Sequence, residues 1–184
     1  FSMNFFIQFL TYFRILAAPI IFLLVTLYSN YGWALILFLF ASASDYWDGY
    51  LARKYKLESI FGAVLDPIAD KILLTFIILA LSLELSSPLV AFIGGVILVR
   101  EFWVGGLRDL NARKGNDTAT KVSRLAKIKT FVQFSALLSF LLGLYLNNAL
   151  IIFLSNFLLF LALIITLKTG LSYTIATFKI TDEN

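Results

Sequence analysis

The chain has 184 residues, of which 60% are hydrophobic and only 14% charged, with a mean hydropathy of +0.90; soluble domains are nearer half apolar and a quarter charged, so the composition is that of an integral membrane protein. Cysteine and histidine are absent, which excludes disulfides, thiolate or imidazole zinc sites, catalytic Cys and Ser-His-Asp machinery, and leaves acid–base chemistry to carboxylates, Lys or Tyr. The formal net charge of +4 calls for no nucleic acid, and none is expected as a partner; it fits basic cytoplasmic loops and favours anionic headgroups or phosphates.

A spanning helix needs roughly 20 mostly apolar residues, and the chain divides into six such runs. Phe1 and Ser2 precede Met3 and are set aside, so one domain is expected over 3–184. The first span, 9–28, has no basic segment before it and no small-residue cleavage site after it, and is expected to remain as a helix. The second, 32–54, carries Asp45 and Asp48, and the third, 59–83, carries Asp66 and Asp70. Pro67 is expected to disturb the third helix. The fourth, fifth and sixth spans are 88–110, 122–145 and 149–176. Turn signals separate them: Ser29-Asn30-Tyr31-Gly32, Lys54-Tyr55-Lys56, Ser86-Ser87-Pro88, Arg113 to Asp117, and Asn147-Asn148.

Lys and Arg concentrate in short cytoplasmic loops. Here they fall after the second span (Arg53, Lys54, Lys56) and between the fourth and fifth (Arg108, Arg113, Lys114, Lys121, Arg124, Lys127, Lys129), whereas 29–32, 84–88 and 146–149 hold neither. Both termini are therefore expected to face the cytoplasm, with the four aspartates in the cytoplasmic half of the second and third spans. Tyr28, Tyr31, Trp33 and Tyr145 fall at the opposite interface, where amphipathic rings are favoured.

Carboxylates at membrane depth cost about 2.5–3.5 kcal/mol each on insertion scales and are functional by default. Asp45, Asp48, Gly49 and Ala52 share one helix stripe, and Gly62, Asp66 and Asp70, each four apart, form another. Oxygen-only ligands select hard cations, Mg²⁺ or Mn²⁺ before Zn²⁺. Two such ions on four aspartates can bind a diphosphate and stabilise a departing oxygen, which points to phosphoryl transfer. Two alternatives stay open on the residues alone: ion pairing of the acids with Arg53, Lys54 and Lys71, and a proton or cation path.

Read in order, Asp45-x2-Asp48-Gly49-x2-Ala52-Arg53-x8-Gly62-x3-Asp66-x3-Asp70 resembles the full signature of the CDP-alcohol phosphotransferases. The resemblance implies an all-α membrane enzyme of six transmembrane helices, a homodimer, that transfers a substituted phosphate from a CDP-linked donor to an alcohol and releases CMP. By the same resemblance Asp45, Asp48, Asp66 and Asp70 would bind a pair of Mg²⁺ (or Mn²⁺) ions, with Asp70 also the general base on the acceptor hydroxyl. Asp48, Gly49, Ala52, Arg53 and Gly62 would shape or contact the CDP site.

Three further stretches, Leu10-Thr11-x2-Arg14-x4-Pro19, Arg100-Glu101-Phe102-Trp103-Val104-Gly105-Gly106-Leu107-Arg108 and Lys127-Ile128-Lys129-Thr130, resemble the phosphatidylglycerophosphate-forming bacterial branch of that family. Gln8 and Ala126 depart from its pattern, which has Asn and Gly there. Arg100 and Arg108, eight apart on one helix, lie near one face. With Lys127 and Lys129 they are expected to form a basic pocket for an acceptor that carries its own phosphate; Thr11 and Arg14 are expected beside the donor diphosphate. Glu101 is expected to orient Arg100 or Arg108, or to neutralise a lysine. The expected reaction moves the phosphatidyl group of CDP-diacylglycerol to sn-glycerol 3-phosphate, in a bacterial inner membrane with the site facing the cytoplasm. Alternatives are another acceptor (inositol phosphate, serine, phosphatidylglycerol) and a divalent-cation carrier.

Overall fold

Three tight turns at one end of the molecule share one design. Ser29, Ser86 and Asn147 each take a left-handed backbone, with φ of 47°, 45° and 47°, and so end the helix before them. The residue that follows starts the next helix: Asn30 Oδ1 accepts from the Trp33 amide at 3.3 Å, Ser87 Oγ from Val90 at 3.3 Å, and Asn148 Oδ1 from Leu150 at 3.0 Å and Ile151 at 3.3 Å. These side chains satisfy amides that the first helical turn leaves without partners. Pro88, at the start of its helix, gives up no intrahelical bond there.

The computed structural model describes residues 3–55, 60–114 and 124–181, with the side chains at 3–7, 45, 46, 48–50, 52, 53, 60–63, 124, 180 and 181 outside the description. The described residues form six helices: α1 (Met3–Thr26), α2 (Tyr31–Tyr55), α3 (Ile60–Glu84), α4 (Pro88–Arg113), α5 (Arg124–Tyr145) and α6 (Ala149–Thr181). Each expected span falls on one of them. α3 continues as helix through Pro67, so the disturbance expected there does not end it.

Gln8–Thr26, Pro88–Arg113, Leu125–Tyr145 and Ala149–Lys179 are long and apolar enough to cross a membrane, which makes this a multi-pass membrane protein. α2 has a shorter apolar stretch, Tyr31–Ser44, ahead of its acidic end, and α3 interrupts its apolar run with Asp66, Asp70 and Lys71. α1 packs on α2 and α3, α5 on α2 and α6, and α4 on α3 and α6.

Buried positions on α1 (Thr11, Arg14, Ala18, Ile21, Val25, with Ala17 beside Ala18) recur every three or four residues, and the apolar ones share the core with Leu73, Ile77 and Leu81 of α3. Small residues bring helices close. At Gly94 of α4 a Cβ would lie 2.2 Å from Cγ2 of Ile78 on α3. The outer faces present Leu16, Phe92, Phe131, Phe153 and Phe157, as expected where lipid is the solvent. Tyr28, Trp33 and Tyr145 are exposed beside the three turns, and the Tyr31 hydroxyl there hydrogen-bonds Glu84 of α3.

Candidate active site

At the end opposite the turns, polar side chains collect in two groups. The first joins α1 to α3, which run parallel. Thr11 Oγ1 donates to Asp66 Oδ1 at 2.8 Å, and Arg14 Nη1 pairs with Asp70 Oδ1. Residues three apart on α1 thus meet residues four apart on α3, one helical turn up each helix. Thr11 and Arg14 are buried, Arg14 completely, while the Asp70 side chain is 40% exposed. A hydroxyl and a guanidinium held by packing therefore fix the rotamers of two carboxylates that open outward. Thr11 and Arg14, expected beside the donor diphosphate, thus contact two of the aspartates expected to hold the metal pair.

The other members of the signature, Asp45, Asp48, Gly49, Ala52, Arg53 and Gly62, lie on α2 and the opening turn of α3, with side chains outside the described residues. For a divalent ion the residues present fit: Asp66 and Asp70 offer carboxylate oxygens at adjacent turns of one helix, each oriented by a buried donor. That is the hard-oxygen chemistry Mg²⁺ and Mn²⁺ require.

The second group joins α4, α5 and α6. Glu101 Oε1 accepts from Arg100 Nη1 at 3.2 Å and also pairs with Lys129 Nζ. Both cations are buried, with side chains 8% and 7% exposed. Arg100 Nη2 donates to Thr169 Oγ1 of α6 at 2.7 Å, and its buried Nε has no hydrogen-bond partner among the described residues. The arginine stem lies against Gly170, where a Cβ would come within 3.0 Å of Cγ and 3.2 Å of Nε. The guanidinium carbons of Arg100 and Arg108 stand 5.9 and 5.5 Å from the Tyr173 ring centroid, within cation–π range.

Of the four basic residues expected around an acceptor phosphate, Arg100, Arg108 and Lys129 come together. Lys127 does not: two residues from Lys129 is about 200° around the helix, and it is exposed on another face. Glu101, for which the sequence left several partners open, takes Arg100 and Lys129. Sequence reasoning missed Thr169, Gly170 and Tyr173 of α6. The available signal was the buried stripe Thr166, Thr169, Tyr173 and Thr177 in an otherwise apolar helix, since polar residues in such helices face other helices or a cavity. Asn111 Nδ2 to Thr177 Oγ1 at 2.9 Å and Trp103 Nε1 to Thr174 Oγ1 at 3.0 Å continue the α4–α6 contact.

Chemically, one group offers oriented carboxylates for a cation, and the other offers buried cations with spare donor capacity for an anion. A family model described as CDP-alcohol phosphatidyltransferase matches residues 7–169. A protein of Rickettsia bellii (strain RML369-C) is 41% identical over 171 residues, covering 90% of this chain and 91% of its own length. One from Rickettsia felis (strain ATCC VR-1525 / URRWXCal2) is 39% identical over 171 residues, covering 90% and 91%. One from Yersinia pestis (strain Pestoides F) is 33% identical over 136 residues, covering 72% and 74%. All three bear the name CDP-diacylglycerol--glycerol-3-phosphate 3-phosphatidyltransferase.

Proposed function

The chain belongs to the CDP-alcohol phosphatidyltransferase family, and from that premise we propose that it transfers the phosphatidyl group of CDP-diacylglycerol to sn-glycerol 3-phosphate, giving phosphatidylglycerophosphate and CMP. The observation that carries the acceptor assignment is the gathering of Arg100, Arg108 and Lys129 near Glu101 and Tyr173. An acceptor bearing its own phosphate gives those cations a multiply charged ligand; choline and ethanolamine carry no anion, and serine only a carboxylate beside its own ammonium.

Asp45, Asp48, Asp66 and Asp70 would hold a pair of Mg²⁺ or Mn²⁺ ions, which supply charge neutralisation at the diphosphate and at the leaving oxygen. Thr11 and Arg14 act as positioning residues through their contacts to Asp66 and Asp70. Arg53 binds the donor diphosphate, with Asp48, Gly49, Ala52 and Gly62 shaping the CDP site. Arg100, Arg108 and Lys129 place the acceptor so that its 1-hydroxyl faces the phosphatidyl phosphorus. That oxygen forms the new P–O bond, its proton passes to the Asp70 carboxylate, and the P–O bond to CMP breaks.

The basic end of the bundle faces the cytoplasm of a bacterial inner membrane with both termini, all six helices cross, and the enzyme works as a homodimer. Water-soluble acceptor and CMP then exchange on one side while acyl chains approach through lipid. CMP release by purified protein tests the assignment, given CDP-diacylglycerol and Mg²⁺ with glycerol 3-phosphate, glycerol, serine or inositol phosphate. Turnover with glycerol 3-phosphate alone supports it. Turnover with a different alcohol overturns the acceptor, and divalent-ion flux in proteoliposomes without CMP overturns the transferase reading.

A further inference from the structure

Lys71 follows Asp70 on α3, but turned about 100° around the helix it faces α4 rather than Arg14. Its ammonium stands 5.2 Å from the Phe102 ring centroid and rests on the bare backbone of Gly105, where a Cβ would lie 2.7 Å from Nζ. Among the described residues it makes no ion pair and no hydrogen bond to a carboxylate. A half-buried lysine in an apolar helix, with no anion paired to it among the described residues, favours an anionic partner, and basic positions between helices on the cytoplasmic side take lipid headgroups.

A groove of about 220 Å³ is lined by Ile68, Lys71, Ile72, Thr75 and Phe76 of α3 and by Phe102 of α4, the ring beside the Lys71 ammonium. All but Lys71 and Thr75 are apolar, and Thr75 Oγ1 is turned back to the Lys71 carbonyl at 2.7 Å. The lining therefore combines one basic side chain with hydrocarbon. The match is to a phosphate joined to an acyl chain, and it lies on the α4 side of α3, away from the α1 contacts of Asp66 and Asp70.

We propose that the α3–α4 groove is a resident site for an anionic phospholipid, its headgroup phosphate on Lys71 and one acyl chain along Ile68, Ile72 and Phe76. This goes beyond the transferase reading and does not depend on it. The bound lipid completes the charge balance of Lys71 and fills space that the helices leave open.

Native mass spectrometry of the full chain from mixed phosphatidylglycerol and phosphatidylcholine micelles tests this, comparing wild type with Lys71→Met, Lys71→Arg and Thr75→Trp. Wild type and Lys71→Arg should retain phosphatidylglycerol in preference, and Lys71→Met should lose about fivefold of that preference, the worth of one lysine facing an anionic headgroup. Thr75→Trp should lower retention of both lipids by filling the groove. Unchanged preference in Lys71→Met overturns the proposal. So does one-for-one displacement of phosphatidylglycerol by CDP-diacylglycerol, which would make the groove part of the donor site, or loss of a dimer in Lys71→Met with lipid retention intact, which would make the occupant a second copy.

Discussion

Replacing Glu101 with glutamine removes the carboxylate that pairs with both Arg100 and Lys129, two buried cations. Glutamine keeps the size and one carbonyl acceptor, so the change is chiefly one of charge. Hydrogen bonds to charged groups contribute about 1.5–3 kcal/mol each, and because the carbonyl still accepts from one cation, the variant should lose about the worth of one such bond. In wild type an incoming phosphate must compete with Glu101 for both cations; in the variant it does not. Ligand at about 100 times its Kd stabilises a folded protein by about 2.7 kcal/mol, enough to offset the loss. The assay is thermal unfolding in detergent with glycerol 3-phosphate, and with glycerol as the phosphate-free control. Glu101→Gln should melt below wild type alone and show the larger upward shift with glycerol 3-phosphate, and no shift with glycerol. Equal shifts in the two proteins would refute the reasoning, because Glu101 would then not occupy the cations that receive the phosphate.

Arg14→Gln and Thr11→Val should each lower kcat for CMP release at least about tenfold, equivalent to about 1.4 kcal/mol, with little change in KM for the donor; a raised donor KM at unchanged kcat would instead put these residues on the diphosphate. Gly94→Ala should destabilise the protein by about 1–3 kcal/mol through overpacking, and Ile78→Leu in the same chain, which removes the obstructing γ2 methyl, should recover part of that in a thermal or denaturant titration. Chelation with EDTA should abolish acceptor-dependent CMP release, and Mg²⁺ or Mn²⁺, but not Ca²⁺, should restore it, since octahedral sites at short distance suit the smaller ions.

The helices and their tight turns were legible because they are written locally. Apolar runs of spanning length end at Ser29, Ser86 and Asn147, and each is followed by Asn or Ser able to cap the next helix. The shared face of Asp66 and Asp70 was legible for the same reason, as a spacing of four sets one stripe on one helix. What lay across from each stripe was not. Periodicity says that Thr11 and Arg14 share a face, but not that α3 stands opposite it in parallel, so their contacts to Asp66 and Asp70 needed the fold. Lys127 and Lys129 read alike as a basic pair, yet only the packing of α5 against its neighbours decides which one is buried. The α6 residues were missed because threonine and glycine carry no charge signal; their importance comes from the Arg100 side chain that lies over them.

The shared design of the three turns also governs how the bundle can open. Each links its two helices through only a few residues, and a chain spans at most about 3.3–3.6 Å per residue, so the paired helix ends at that rim are tethered like the spine of a folded sheet. Spreading of the two helices within any one of these pairs, α1–α2, α3–α4 or α5–α6, must therefore pivot about that rim and gape at the other. Within each pair the end left able to part is the one that carries Asp66, Asp70, Arg14, Arg100 and Lys129, so admission of a lipid between paired helices and exposure of the charged chemistry become a single movement.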